Sequence, residues 1–222
     1  MSRILCVLFL VVSLLQDAQA QRRYTFEEGS ALGSEWRYIG ERQPQNYRIL
    51  NDRLRLYGDI YELKDGRSFT FAGLPQGSKP FEVTTKLRLT DAENGDEAGL
   101  CLYRSKAGFV QCCLSSQNGQ RRLKLRLQLL SHRLQLFDKN VGLTSEVYLR
   151  IGFDGSQYNF YYSTDDKRYQ LMDTVEGSLL ETSLVGGADE VLVGMFCFNG
   201  NSKFNAGYTF GEFDYFDFDE KE

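Results

Sequence analysis

The amino-acid sequence predicts an all-β fold, a two-sheet antiparallel β-sandwich or jelly roll with about 14 strands. Three observations lead to this prediction. Short runs alternate between apolar and polar residues, turn residues recur roughly every 8 to 15 positions, and no amphipathic run is long enough for a helix. Because neither a linker nor a repeat interrupts the pattern, we expect a single domain over residues 21–222.

The segment 147–172 carries the strongest strand pattern and predicts a meander of antiparallel strands. Val147, Leu149 and Ile151 alternate with polar or small residues, as in a strand with one buried face. An Asp-Gly pair at 154–155 follows, and it is the strongest short hairpin signal because glycine adopts a positive φ without a clash. Such a meander is not stable alone, so a second sheet must cover its apolar face.

The other strands are predicted from shorter runs between turn-forming residues. The clearest has leucine at every second position from 123 to 129, a spacing that lines one face of a strand but scatters around a helix. Another alternates from 81 to 89 and follows a loop that contains Pro75, Gly77 and Pro80. In chain order the remaining candidates are 24–26, 35–39, 47–50, 53–57, 69–72, 98–103, 109–114, 133–137, 191–198 and 210–218.

Residues 1–20 have the pattern of a secretory signal peptide, so we expect a secreted, extracellular protein. Arg3 supplies a positive charge, residues 4–15 form an apolar run, and Ala18-Gln19-Ala20 gives a small-x-small cleavage site. The apolar run is too short to span a bilayer, and no later run reaches about 18 apolar residues, so no membrane span is expected. The net charge of −4 gives no reason to expect a nucleic-acid partner.

Short motifs follow one another in a characteristic order over nearly the whole segment 21–222. They are Trp36-Arg37; Arg53-Leu-Arg-Leu56; Phe81-Glu-Val-Thr-Thr85; Glu97-Ala-Gly-Leu100 with Tyr103; Leu149-Arg-Ile151; Tyr158-x-Phe160-x-Tyr162-Ser163-x-Asp165; Val193-Gly194; and Phe213-Asp-Tyr-Phe216. In this order they resemble the C-terminal concanavalin A-like domain of family 43 glycoside hydrolases, the β-xylosidase type. The resemblance implies a lectin-like sandwich that normally sits beside a five-bladed propeller with the catalytic carboxylates. The sequence contains no such propeller.

Two segments depart from the pattern of the family that the chain resembles. Ala72-Gly-Leu-Pro-Gln76 replaces an Arg-Arg-Gln segment, and Ala188-Asp-Glu190 replaces a Phe-Thr-Gly segment. In the parent enzymes both segments lie near the active site of the propeller. The departures therefore argue against an accessory role toward a xylosidase. The resemblance predicts the fold of this chain more safely than its function.

We expect the protein to bind a polysaccharide or glycoconjugate without catalysis. Tyrosines are abundant, and a tyrosine on a sheet offers an apolar ring for stacking on a sugar, with polar neighbours to bond the hydroxyls. The candidate ligand-binding residues are Tyr38, Tyr103, Tyr148, Tyr161 and Tyr162.

The last predicted strand carries acidic residues that suggest an alternative function. Glu212, Asp214 and Asp217 are similar to the E-x-D-x-x-E strand with which family 16 glycoside hydrolases place two carboxylates on one face. Glu212 and Asp214 share a face of a regular strand, whereas Asp217 falls on the other face unless a bulge intervenes. A secreted glycoside hydrolase using Glu212 and Asp214 is therefore one alternative. An extracellular adhesion or structural protein without a sugar ligand is the other.

No cofactor is expected, and the one alternative is a structural calcium ion joining the first and last strands. Its ligands would be Glu27 or Glu28 together with Asp214. His132 is the only histidine and is predicted to lie in a turn, so the sequence predicts neither a histidine-based metal site nor a catalytic triad.

Four cysteines follow the signal-peptide pattern, and an oxidising compartment favours disulfides. If Arg104 pairs with Phe109 across the intervening turn, Cys101 lies beside Cys112 on one face, so a Cys101–Cys112 disulfide is the first prediction. A bond from Cys197 to Cys101 or to Cys113 is the alternative.

Four basic residues could form a stripe across one predicted hairpin. It could attract an anionic polysaccharide, but the solvated face of a sheet is the favoured interpretation. Its residues are Arg122, Lys124, Arg126 and Arg133.

Overall fold

The computed structural model of the protein describes residues 21–200 and 209–221. Within these ranges the strands are β1 Gln21–Thr25, β2 Arg37–Ile39, β3 Tyr47–Leu50, β4 Arg53–Tyr57, β5 Phe69–Pro75, β6 Phe81–Thr90, β7 Glu97–Ser105, β8 Gly108–Gln117, β9 Gln120–Leu129, β10 His132–Gly142, β11 Glu146–Phe153, β12 Gln157–Ser163, β13 Gln170–Glu176, β14 Leu192–Phe198, β15 Phe210–Phe213 and β16 Tyr215–Glu220. The helix α1 is Thr182–Val185, and turns of 3-10 helix are Pro44–Asn46, Leu63–Asp65 and Gly177–Leu180. No helix in the described ranges is long and apolar enough to cross a bilayer. The predicted signal peptide, residues 1–20, lies outside the described residues.

The described strands form two antiparallel sheets that pack face to face, which confirms the predicted sandwich. Seven strands of the nine-stranded sheet follow the order β13-β12-β11-β6-β15-β4-β3. The other two are β16, which pairs with β6 next to β15, and β1, which pairs with β16. The seven-stranded sheet has the order β10-β9-β8-β7-β14-β5-β2. The meander predicted from the sequence is confirmed as β11, β12 and β13.

The main hydrophobic core lies between the two sheets and follows from the alternation in the sequence. In β9, Leu123, Leu125 and Leu127 are buried in this core, while the arginine and lysine side chains between them lie on the opposite face. The strand predicted from its leucine spacing is therefore confirmed. Burying one such side chain stabilises the fold by about 1.5–3 kcal/mol relative to leaving it exposed.

A second hydrophobic cluster lies on the outer face of the seven-stranded sheet. It contains Phe69, Phe71, Phe109 and Phe196, and the buried side chain of Leu63, from the 3-10 turn after β4, packs on it. The chain thus covers this outer face with its own connection between β4 and β5. The outer face of the nine-stranded sheet, in contrast, carries polar and aromatic side chains along β11 and β12.

The predicted Cys101–Cys112 disulfide is wrong because the β7–β8 hairpin has a different register. Tyr103, not Arg104, pairs with Phe109, and the ladder has a bulge between this pair and the turn. A shift of one residue reverses the face of every side chain beyond it. Cys101 and Cys112 therefore point to opposite faces of the seven-stranded sheet, and both are free thiols.

All four cysteines of the described residues are buried and free. Cys101 and Cys113 lie in the cluster on the outer face, whereas Cys112 and Cys197 lie in the core between the sheets. The alternative bonds from Cys197 would have to cross the sheet, and neither is present. Burial raises the pKa of every one of these thiols, to about 12 for Cys113.

Candidate functional site

The outer face of the nine-stranded sheet is an open surface of mixed polar and aromatic character. Along β11, Val147, Leu149 and Ile151 are buried in the core, and the side chains between them point outward. The outward side chains are half-buried and include Tyr148 on β11 and Tyr161 on β12. This face is therefore where the sheet can meet a ligand.

A pocket of about 350 Å³ opens on this face where β6, β11 and β12 run side by side, and we call it the outer pocket. Its floor lies at Gly152, which pairs with Glu82 on one side and with Asn159 on the other. A Cβ atom at Gly152 would meet only the Phe81 carbonyl oxygen, at 4.0 Å, so the missing side chain leaves open space. Tyr161 follows on β12 and also lines the pocket. Glycine at this position therefore contributes open space to the outer pocket.

The outer pocket combines an aromatic ring with hydrogen-bond donors and acceptors. The Asn159 amide oxygen accepts a hydrogen bond from the Thr174 hydroxyl at 2.8 Å, which leaves its two N–H groups to donate. Glu82 presents a carboxylate 3.5 Å from the Arg150 Nε atom. A half-buried ring beside an amide and a carboxylate is a combination that binds polyhydroxylated ligands.

An aromatic cluster lies beside the outer pocket. The Arg150 guanidinium carbon is 3.7 Å from the centroid of the Tyr169 ring, and the Tyr169 hydroxyl donates to Asp166 at 2.6 Å. Burial, together with the Asp166 carboxylate, raises the pKa of Tyr169, and burial also raises the pKa of Tyr215 on β16. These hydroxyls therefore stay protonated near neutral pH. The connection between β12 and β13 covers the part of the face around Arg150.

The structure separates the five tyrosines predicted to bind a ligand. Tyr148 and Tyr161 share the outer face of the nine-stranded sheet. Tyr162 is 3% exposed in the core, so its ring cannot stack on a ligand and that prediction is wrong. Tyr38 packs edge-on against another tyrosine ring at 5.2 Å, and Tyr103 stacks on a phenylalanine of the second hydrophobic cluster at 6.4 Å. Only Tyr161 lies at the outer pocket.

Sequence reasoning found Tyr161 but missed Asn159, Glu82 and Gly152. Glu82 lies on β6, far from β12 in the sequence, and only the strand pairing brings it to the pocket. The available signal was Gly152 itself, because a glycine on the mixed face of an otherwise regular strand marks a depression in the sheet.

Glu212 and Asp214, the candidate catalytic pair, belong to a network of ion pairs on the same outer face. Glu212 Oε1 accepts from Arg55 Nε at 2.8 Å and Oε2 from Arg88 Nη1 at 3.2 Å. Asp214 accepts from Arg53 at 2.7 Å, and a lysine lies 3.4 Å from its other oxygen. A nucleophile or general acid needs a carboxylate oxygen that the substrate can reach. These occupied carboxylates fit a structural role.

A β-bulge brings Asp217 to the outer face together with Glu212. Glu212 pairs with Arg88 and Asp217 with Thr84, so five steps along the last strands match four steps along β6. Asp217 in turn pairs with Arg23 at 3.1 Å, and burial raises its pKa. The bulge that the sequence analysis required for Asp217 to share a face with Glu212 is therefore present. Each of the three acidic residues is nevertheless bound by an arginine.

The structure gives no support to a calcium site formed by Glu27 or Glu28 with Asp214. Asp214 binds Arg53, and β1 and β16 are joined directly by backbone pairing. Among the described residues, no group of three or more His, Cys, Asp or Glu side chains could hold a metal ion. His132 begins β10 and is exposed.

The basic residues of β9 and β10 do not form an open cationic stripe. Each of Arg122, Lys124, Arg126 and Arg133 is paired with a carboxylate. Lys124 and Arg126 both face Glu97, whose side chain is 6% exposed. The stripe therefore lacks the free cations that would attract an anionic polysaccharide. The expectation of a wholly solvated face is wrong for Lys124 and Arg126.

Comparison with known families supports the resemblance found in the sequence. The sequence model of the family described as Beta xylosidase C-terminal Concanavalin A-like domain matches residues 23–219. No curated protein matches the chain significantly.

Solved structures with the same fold come from bacteria and from yeast. The chain is 23% identical to the Bacteroides ovatus Xyloglucan PUL GH43B, with a TM-score of 0.81 over 90% of this chain and 39% of that chain. It is 21% identical to the GH43 BlXynB protein from Bacillus licheniformis, with a TM-score of 0.80 and the same two coverages. A functionally unknown protein from Saccharomyces cerevisiae is 14% identical, with a TM-score of 0.57 over 84% of this chain and 94% of that chain. The chain thus spans well under half of the two bacterial chains but nearly all of the yeast chain.

Proposed function

Because the chain belongs to the family of β-xylosidase C-terminal concanavalin A-like domains, we propose that it is a secreted, non-catalytic module that binds a carbohydrate or glycoconjugate. The observation that carries this proposal is the outer pocket, where Tyr161, Asn159 and Glu82 surround the open space above Gly152. Secretion rests on the signal-peptide pattern of residues 1–20.

The side chains of the outer pocket suggest how a sugar residue binds. The Tyr161 ring supplies an apolar surface for the C–H face of the sugar. The Asn159 N–H groups donate to one hydroxyl, and the Glu82 carboxylate accepts from another. The pocket of about 350 Å³ lies near the lower end of the usual range of roughly 300–1,000 Å³ for small-molecule sites. We therefore expect weak binding, with Kd of about 10 µM to 1 mM, which corresponds to about 4 to 7 kcal/mol.

The names of the relatives suggest the first ligands to test. The family description refers to a β-xylosidase and the Bacteroides ovatus relative to xyloglucan. We take xylo-, arabino- and gluco-oligosaccharides as the initial panel. The same preparation should release no reducing sugar from any of them.

Calorimetric titration of the wild type and three variants tests the proposal. Tyr161→Ala removes the stacking surface and should weaken binding about tenfold or more. Asn159→Asp keeps the acceptor for Thr174 but removes the two N–H donors, and should also weaken binding. Tyr61→Ala removes a half-buried tyrosine far from the outer pocket and is the matched control, which should bind like the wild type.

Each contrary result points to a different alternative. Release of reducing sugar by the wild type that disappears in a folded Glu212→Gln variant would establish a glycoside hydrolase. Neither turnover nor binding across a broad glycan panel would favour the adhesion or structural protein. Binding that survives Tyr161→Ala but is lost in Tyr61→Ala would move the site to another surface of the sandwich.

A further inference from the structure

A second pocket lies at the end of the sandwich, on the far side of the β11–β12 turn, and we call it the end pocket. It has a volume of about 400 Å³, and its lining comes from both sheets and includes Gln76, Arg104 and Glu176. Phe153 lines both the end pocket and the outer pocket, and only the turn 154–156 separates them. The two pockets are therefore adjacent.

Arg104 lines the end pocket and is held in place by two hydrogen bonds to backbone carbonyl groups. Its Nε atom donates to the Leu180 carbonyl at 2.9 Å, and its Nη1 atom donates to the Ala188 carbonyl at 2.7 Å. Its Nη2 group takes part in neither bond and remains a donor. Because both carbonyls belong to the connection between β13 and β14, these bonds also fix the shape of the pocket.

Gln76 is oriented by a buried tyrosine. The Tyr158 hydroxyl donates to Gln76 Oε1 at 2.6 Å. Burial raises the pKa of Tyr158 to about 12, so its hydroxyl stays protonated and this bond persists at neutral pH. The two N–H groups of the Gln76 amide are left as donors, and Glu176 and Glu181 line the same pocket with carboxylate acceptors.

Two residues at the end pocket, Gln76 in its lining and Ala188 as the acceptor for Arg104, belong to the segments that depart from the family pattern. Gln76 ends the segment 72–76, and Ala188 begins the segment 188–190.

We infer that the end pocket is a second subsite, which takes a further neutral sugar residue of an oligosaccharide whose first residue occupies the outer pocket. This inference rests on the proposed function. A sugar hydroxyl both donates and accepts, so neighbouring hydroxyls satisfy the donors Arg104 and Gln76 together with the acceptors Glu176 and Glu181. A uronate or sulfate would be repelled, because the carboxylates of Glu176 and Glu181 outnumber the single guanidinium group.

Calorimetric titration with one neutral oligosaccharide series of increasing length tests the inference. The wild type should bind the longer members at least about fivefold more tightly than the disaccharide. Ser178→Trp places an indole ring in the end pocket from an exposed position, and should abolish this gain while leaving the affinity for the disaccharide unchanged. Leu184→Trp is the matched control, because Leu184 is also exposed on this connection but does not line the pocket.

A second variant tests the hydrogen bonds without filling the pocket. Gln76→Glu keeps the acceptor for Tyr158 and removes the two N–H donors, so it should reduce the gain with length. Urea denaturation of every variant shows whether it folds like the wild type.

The possible outcomes separate this inference from the proposed function. If Ser178→Trp shows the same increase in affinity with oligosaccharide length as the wild type, the inference is overturned while the role of the outer pocket stands. Equal weakening at every length in Ser178→Trp also overturns it, since the end pocket would then be the first site. If the wild type binds no oligosaccharide of any length, both the function and the inference fail.

Discussion

Glu212 and Glu146 provide a matched test of the ion network on the outer face, since both pair with Arg88 but differ in burial. The Glu212 side chain is 6% exposed, and its oxygens bind Arg55 and Arg88. The Glu146 side chain is 36% exposed and binds Lys86 and Arg88. Replacing each glutamate by glutamine removes the same charge from the same network, with little change in shape.

The expected losses in the free energy of unfolding follow from the exposures of the two glutamate side chains. Removing one member of a fully buried ion pair costs about 3–5 kcal/mol. The lower end of this range applies to Glu212, because Arg55 and Arg88 are 22% and 28% exposed and Arg88 keeps Glu146 as a counter-ion. An exposed pair is worth about 0–1 kcal/mol. We expect Glu212→Gln to lower the free energy of unfolding by about 3 kcal/mol and Glu146→Gln by at most about 1 kcal/mol. For a domain of this size, these losses lower the Tm by roughly 6–12 °C for Glu212→Gln and by at most about 4 °C for Glu146→Gln.

Urea denaturation of both variants at neutral pH, in low and high salt, measures the difference. The effect of Glu146→Gln should shrink as salt screens the exposed pair, and that of Glu212→Gln should persist. Lys86 and Arg88 lower the pKa of Glu146, so the contribution of this carboxylate is present above its ordinary pKa and is lost on acidification. Equal losses in the two variants, or a loss in Glu212→Gln below about 1 kcal/mol, would refute the reasoning.

Three further predictions follow from the buried groups of the structure. Burial raises the pKa of Cys113 from 9.0 and of Tyr158 from 10.0, in both cases to about 12. The folded protein therefore retains protons that the unfolded chain loses, and the free energy of unfolding should fall steadily as the pH rises from about 9 to 12; a flat profile in urea denaturation would contradict this. A thiol reagent should label none of the four described cysteines in the native protein and all of them in concentrated guanidinium chloride, and a mapped Cys101–Cys112 bond would disprove the observed register. Arg126→Met should cost about 3 kcal/mol because its partner is buried, whereas Arg122→Met should cost at most about 1 kcal/mol, and equal costs would contradict the distinction.

The alternation of side chains predicted the sandwich because it is a local property of each strand. The leucines of β9 and the apolar residues of β11 face the core as expected. The same rule could have removed one ligand candidate, since Tyr161 and Tyr162 are consecutive in a strand and must point to opposite faces. The structure places Tyr161 on the outer face and Tyr162 in the core.

The hairpin register could not be read from the local sequence, because distant groups stabilise the bulge. Arg104 lies at the irregular step of the β7–β8 ladder. Its guanidinium group bonds to carbonyl groups 76 and 84 residues away in the sequence. A turn rule applied to neighbouring residues has no access to such partners, so the Cys101–Cys112 pairing built on it was wrong.

The outer pocket could be predicted only in part for a similar reason. Tyr161 carries its own signal as an outward-facing aromatic residue. Glu82 and Asn159 reach the pocket through pairing on either side of Gly152, and this pairing order depends on how β6 inserts beside β11. Strand order is set by the packing of the whole sheet and leaves no mark on any single strand.

Binding of an oligosaccharide to Gly152→Val tests the central claim most directly. Valine suits a β-strand, and a Cβ atom at this position meets only one backbone oxygen, at 4.0 Å, so the variant should fold at least as stably as the wild type while its side chain fills the floor of the outer pocket. In calorimetric titration we expect the wild type to bind and Gly152→Val to bind at least about tenfold more weakly. A folded Gly152→Val protein with unchanged affinity would contradict the assignment of carbohydrate binding to the outer pocket.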